Sequence, residues 1–155
     1  MPPGAKIITV SDSTYRGDRE DRSGPALVAR LEGHGFDVGE CRVVPDGAEP
    51  VATAIRELAA GFVGAILTTG GTGFAPTDQT PEGTQAVLER LAPGLAEAMR
   101  AVSPLGRLSR GTAGTVGQCI VLNLPGSTTG AVECLEAVID VLPHALDLLA
   151  GGSPH

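Results

Sequence analysis

Short apolar runs built largely from Val, Ile, Leu and Ala recur along the chain, and each hands over to a stretch with helical spacing. This constrains the fold more than any other feature. Residues 6–11 (KIITVS) and 62–69 (FVGAILTT) show no apolar–polar alternation, as expected of strands covered on both faces. A third strand is expected from Phe36 to Val44, and two strand-like pieces separated by Gly117 fill 112–124. Between them, Leu27 and Leu31 mark one helix, and Val51, Ala54, Ile55 and Leu58 mark a helix over 49–60. Strands alternating with helices predict an α/β fold, a three-layer αβα domain with a mainly parallel central sheet.

Local signals place the element ends. Ser23 is expected to cap the helix it opens, and residues 12–23 before it to form a loop. Thr80-Pro81 is expected to start a helix with Thr80 as its cap and Val87, Leu88 and Leu91 facing the core. A shorter helix should follow around 95–102. The last helix carries Leu135, Val138, Ile139, Leu142, Leu146 and Leu149 on one side, and Pro143 should kink or divide it.

With 155 residues, one domain spanning 1–155 is the expectation. Eleven basic against 18 acidic side chains give a net charge of −7, with no basic run, which argues against nucleic acid as a partner. No apolar stretch is long enough for a membrane helix, and the first residues do not read as a signal peptide. Three widely spaced cysteines (Cys41, Cys119, Cys134) without a Cys-x-x-Cys pair suit a reducing, cytoplasmic setting and no structural zinc.

In a parallel α/β sheet, ligands collect beyond the carboxyl ends of the strands. That rule selects Ser11-Asp12, Pro45-Asp46, Gly70 to Asp78, and Asn123 to Ser127. Gly70-Gly71-Thr72-Gly73 offers consecutive backbone N–H groups unshielded by side chains, suited to a phosphate. Alone, it also reads as a tight turn, as does Asn123-Leu124-Pro125-Gly126-Ser127. At one end of one sheet the two turns read better as two anion sites. Asp46 and Asp78 would then border negative phosphate, a conflict that Mg²⁺ resolves by bridging carboxylate and phosphate oxygens. Arg110 is a further candidate to reach an anion. The cluster 16–22 (RGDREDR) reads first as a solvated mobile loop and second as a lid.

The stretch TTGGTGFAPTDQTPEGT at 68–84 resembles the signature of the Mog/MoaB molybdopterin-binding family. Supporting matches are TVSDS at 9–13, DRSGP at 21–25, VVPD at 43–46, LSR at 108–110 and NLPGS at 123–127. The likeness covers about residues 6–150 and is closer to the Mog branch, which includes the gephyrin G domain. It implies molybdopterin adenylyltransferase activity: AMP passes from Mg-ATP to the molybdopterin phosphate, with release of pyrophosphate. A separate molybdenum-insertion protein would consume the product, and a homotrimer is the expected assembly. The family's essential aspartates fall on Asp46 and Asp78. Ser11, Asp12, Gly70, Gly71, Thr72 and Gly73 would hold nucleotide or pterin, with Asn123, Pro125, Gly126 and Ser127 lining the rest of the pocket. Thr77 and Val116 stand where basic residues are common in the family, changes expected to trim charge or reshape the pocket rim. The alternatives are a non-catalytic molybdopterin carrier of the MoaB type, a structural role without ligand, or an enzyme acting on another pterin or nucleotide.

Overall fold

A computed structural model describes residues 1–153. Its centre is a six-stranded sheet of β1 (Gly4–Val10), β2 (Asp37–Val44), β3 (Gly64–Thr69), β4 (Arg90–Leu91), β5 (Ala113–Val116) and β6 (Cys119–Leu124). The strand order is β2-β1-β3-β6-β5-β4. The first four in that order are parallel, while β5 and β4 are antiparallel additions at one edge. Every residue of β3 and of β6 is buried, which accounts for their mostly apolar composition.

Helices cover both faces. On one face α2 (Ser23–Gly33), α5 (Pro93–Arg100), α6 (Thr128–Glu136) and α7 (Leu142–Leu149) supply Leu27, Leu31, Met99, Leu135, Leu142 and Leu146 to a core with Ile7, Leu67 and Leu122. On the other face, α3 (Ala48–Ala59) contributes Val51, Ala54, Ile55 and Leu58 against Ile8, Ile66 and Val121. The short helix α4 (Thr80–Gln85) packs beside α3 and buries Thr80, Pro81, Gly83 and Thr84. The three layers and mainly parallel sheet expected from the sequence are therefore present. Pro143 does divide the last helical stretch: it stands in the first turn of α7, where its missing N–H costs nothing.

Four local expectations are corrected. Residues 12–16 form a short helix, α1 (Asp12–Arg16), because Ser11 accepts a hydrogen bond from the Thr14 N–H and caps it. Ser23 does not cap α2; Asp21 does so from outside, accepting the Gly24 N–H at 3.0 Å. Thr80 does not cap α4, since its hydroxyl donates to the Gly70 carbonyl at 2.9 Å. Leu91 does not face the core: α4 stops at Gln85, and Leu91 lies 66% exposed on β4, paired with Gly114.

Candidate functional site

The chain reverses its direction of travel across the sheet at β1 and β3, since β2 lies on one side of β1 and β3 on the other. Beyond the carboxyl ends of these strands the connections diverge, leaving a crevice. A polar cleft of about 410 Å³ fills it. Its walls include Ser11, Asp46, Gly70, Gly71, Asp78, Gly126 and Ser127, with Arg19 to Ser23 on a further side.

Two tight approaches build the floor. Gly70 has φ +106°, and a Cβ there would collide with the Val10 carbonyl oxygen; Gly71 has φ +69°, and a Cβ would strike the Thr80 hydroxyl. Glycine is required at both by left-handed backbone as well as space. The Gly70 N–H is spent on the Leu124 carbonyl at 3.1 Å. The N–H groups of Gly71, Thr72 and Gly73 have no acceptor among the described residues. Adjacent free donors of this kind are what an anion-binding nest is built from.

Arg110 fixes the segment that follows. Its backbone N–H donates to the Thr72 carbonyl at 2.8 Å, Nε donates to the Gly73 carbonyl at 2.8 Å, and Nη2 to the Asp78 carbonyl at 2.6 Å. Nη1 pairs with Glu82 at 2.7 Å, and this hydrogen bond holds the Glu82 carboxyl below the ordinary carboxylate range. Arg110 is thus a clasp on the glycine loop rather than a free cation. The loop also holds Asp78, whose Oδ2 accepts the Ala75 N–H at 3.0 Å.

Asp46 and Asp12 exchange hydrogen bonds. Asp12 N–H donates to the Asp46 carboxylate at 3.0 Å, and Asp46 N–H donates to the Asp12 carboxylate at 3.0 Å. The register explains the symmetry: Val10 pairs with Val44, so each aspartate stands two residues past matched ends of parallel neighbours. Burial pushes the Asp46 carboxyl above its usual range; the Asp12 N–H opposes this, and the negative charges of Asp12 and Asp78 add to it. A carboxylate raised by burial and like-charged neighbours is one that a cation would relieve. Among the described residues no group of three or more His, Cys, Asp or Glu could hold a metal by itself. The donor set fits Mg²⁺, which takes one or two carboxylates, keeps waters and completes its shell with substrate phosphate.

The other expected residues divide between two places. Gly126 faces the polar cleft, Pro125 lines a separate apolar cavity of about 270 Å³, and Ser127 borders both. Asn123 touches the apolar cavity yet is only 3% exposed. Its amide donates to the Thr68 and Thr84 hydroxyls at 2.9 and 3.0 Å, and its oxygen accepts the Thr112 N–H at 3.1 Å. Its polar atoms join β3, β6 and α4. Thr72 and Gly73 belong to the loop but not to the cleft wall. Val116 lines neither cavity, since it pairs with Cys119 at the opposite end of β6 and packs against the α3-side core.

The apolar cavity is a site that sequence reading missed. Ala96 and Met99 of α5, Leu105 of the 3-10 turn at 104–108, and Gly130 and Cys134 of α6 form its walls. Only their tertiary convergence creates it. The Arg110–Glu82 clasp was equally hidden, although both residues lie in recognised motifs.

The family model for a probable molybdopterin-binding domain matches residues 6–144. The chain is 34% identical to molybdopterin adenylyltransferase of Helicobacter pylori, over 94% of this chain and 86% of that protein. It is 37% identical to the molybdenum cofactor synthesis protein cinnamon of Drosophila melanogaster, spanning 92% of this chain but only 25% of that longer protein. A crystal structure of the molybdopterin biosynthesis enzyme MoaB from Thermus thermophilus superposes with a TM-score of 0.90 at 46% identity, covering 98% of this chain and 99% of the other. On its glycine-loop signature, its aspartates and these likenesses, the chain belongs to the Mog/MoaB family of molybdopterin-binding proteins.

Proposed function

We propose that this protein is a molybdopterin adenylyltransferase. It would transfer AMP from Mg-ATP to the terminal phosphate of molybdopterin in molybdenum cofactor biosynthesis. The observation that carries the reading is one cleft that meets a run of free N–H groups at Gly71 and is lined by two aspartates, one of them the half-buried Asp46 that a cation would relieve. A phosphate-binding nest alone would serve a carrier. Paired carboxylates beside it suit transfer, where charge develops between two phosphates and must be neutralised.

In this reading Asp46 and Asp78 hold the metal–nucleotide complex. Bound there, Mg²⁺ supplies positive charge to the phosphate oxygens. The nest at Gly71 to Gly73 receives one phosphate. Asp12 acts through Asp46, fixing the height and rotation of its carboxylate, while Ser11 shapes the wall as the cap of α1. No general base is needed, because the attacking phosphate is already an anion. The chain's task is to hold two anions in line, a positioning role that can supply most of the acceleration. The apolar cavity, joined to the cleft at Ser127, suits the flat ring of one substrate. The likeness to adenylyltransferases that the chain nearly spans supports the same activity.

The setting proposed is the cytoplasm, as a homotrimer, with a molybdenum-insertion protein receiving the product. Among the described residues no helix is long and apolar enough to cross a membrane. The assay is release of pyrophosphate from Mg-ATP that depends on added molybdopterin. A carrier would bind molybdopterin and release no pyrophosphate.

A further inference from the structure

Residues 19–23 form a side of the polar cleft, and the proposed chemistry leaves them without a task. This segment is no loose lid. Asp21 pins it twice, accepting the Thr9 hydroxyl of β1 at 2.9 Å and the Gly24 N–H of α2 at 3.0 Å. Gly24 leaves the room for this anchor, since a Cβ there would stand 2.5 Å from the Asp21 carboxylate and 2.9 Å from the Thr9 hydroxyl. The anchor fixes what flanks it.

Besides the Glu20 carboxylate, which also lines the cleft unpaired, three groups beside that anchor line it without protein partners. Arg19 and Arg22 both line it, and neither side chain has an acceptor among the described residues. Of the ten arginines, the other two without a partner, Arg56 and Arg90, line no part of this cleft. Arg16, Arg30, Arg42, Arg100, Arg107 and Arg110 all bond to carboxylates or carbonyls. Ser23 is the third group. It is 6% exposed, yet its hydroxyl has no hydrogen-bond partner, and no buried polar side-chain atom of the described residues is sealed off without one. The hydroxyl must therefore reach the small opening that Ser23 has, and Ser23 lines this cleft. A hydroxyl that is nearly buried, unpartnered and flanked by two uncommitted guanidinium groups calls for an anionic acceptor.

We infer that Arg19, Arg22 and Ser23 form the seat of the pyrophosphate half of the nucleotide, and of pyrophosphate as it leaves. This rests on the transferase reading. In that reaction an oxygen of the molybdopterin phosphate forms a bond to the α-phosphorus. The bond from that phosphorus to the bridging oxygen breaks, and its electron pair stays on the departing pyrophosphate. In-line geometry puts the departing group opposite the attacking one. The nest, which meets the cleft at Gly71, and the 19–23 segment provide two separate sets of anion donors, with Asp46 and Asp78 on the same cleft for the metal. The leaving group gains charge as the bond breaks, so guanidinium groups aimed at it act where the charge develops.

Calorimetric titration of the full chain with Mg-pyrophosphate tests the seat without any turnover. The double variant R19Q/R22Q should bind at least tenfold more weakly and S23A severalfold more weakly. R16Q, whose arginine already pairs with Asp18, should bind as the unaltered chain does. In turnover, R19Q/R22Q should raise KM for ATP and weaken inhibition by pyrophosphate, with KM for molybdopterin unmoved. Unchanged Mg-pyrophosphate binding by R19Q/R22Q overturns the proposal. So does a shift confined to KM for molybdopterin, which would assign these groups to that substrate's phosphate. If the unaltered chain binds Mg-pyrophosphate through these residues but makes no adenylylated product, the anion seat stands and the transferase reading falls.

Discussion

Replacing Asn123 by Ala separates a framework role from a ligand-binding one. The side chain makes three hydrogen bonds at 2.9, 3.0 and 3.1 Å in a place where Thr68 and Thr84 are fully buried. The two bonds to the threonines contribute about 1 kcal/mol net each, and leaving the Thr112 N–H without its acceptor costs ~1–3 kcal/mol more. Truncation should therefore lower stability by about 3–5 kcal/mol. For a chain of this size that is a fall in Tm of roughly 6–20 °C. Urea unfolding followed by circular dichroism measures it, and the slope against denaturant should stay constant if the compactness of both states is unchanged. At a temperature where the variant is still folded, Mg-pyrophosphate should bind within about twofold of the unaltered chain, on the scale where 1.4 kcal/mol is tenfold. A stability loss below about 1 kcal/mol combined with lost ligand binding would refute this. Asn123 would then be a ligand contact, as the family resemblance alone implies.

Other consequences are open to direct checks. Gly71→Ala forces a Cβ into a left-handed conformation against the Thr80 hydroxyl, so a loss of about 1–3 kcal/mol and disordered loop geometry are expected in thermal melts and activity assays. Asp46→Asn should raise Tm at neutral pH while abolishing turnover. The carboxyl of Asp46 lies above its unfolded-state value, so the folded state holds its proton more tightly and stability falls as pH rises through that interval. The gain from Asn must then shrink as pH drops towards the ordinary carboxylate range; a gain independent of pH would contradict the burial argument. Cys119 and Cys134 are buried and Cys41 is exposed, so a thiol reagent should titrate one cysteine, Cys41, in the native protein and all three in denaturant.

What could be read from the sequence was whatever depends on short-range pattern. The buried strands β1, β3 and β6 announce themselves because a strand covered on both faces must be apolar throughout, and α3 because its core face repeats at helical spacing. The ends of elements were less legible. Thr80 carries the features of a cap, but its hydroxyl is taken by the Gly70 carbonyl ten residues earlier, a tertiary demand that outranks local preference. Leu91 fits a helical stripe, yet pairing with Gly114 draws its segment to the sheet edge. The site followed the same rule. Asp46, Asp78 and the glycine loop were visible because phosphate chemistry needs those residue types at strand ends. The partnership of Asp12 with Asp46 becomes visible only once β1 and β2 are in register. Arg110 looked like a free cation from its neighbours in sequence, whereas its donors are used on the loop of residues 72–78 and on Glu82. Val116, read as a change at the pocket rim, stands at the far end of β6.

The central claim is that this cleft transfers adenylate rather than merely holding a pterin. Single-turnover mixing of the protein with fresh molybdopterin, ATP and Mg²⁺, followed by chromatography, measures it most directly, with Asp78→Asn in parallel. The account predicts adenylyl-molybdopterin and stoichiometric pyrophosphate from the unaltered chain, with at least a hundredfold slower formation by the variant, on the scale of removing one electrostatic stabiliser of developing charge. Tight molybdopterin binding with no adenylylated product, or full turnover by Asp78→Asn at saturating Mg²⁺, would contradict it.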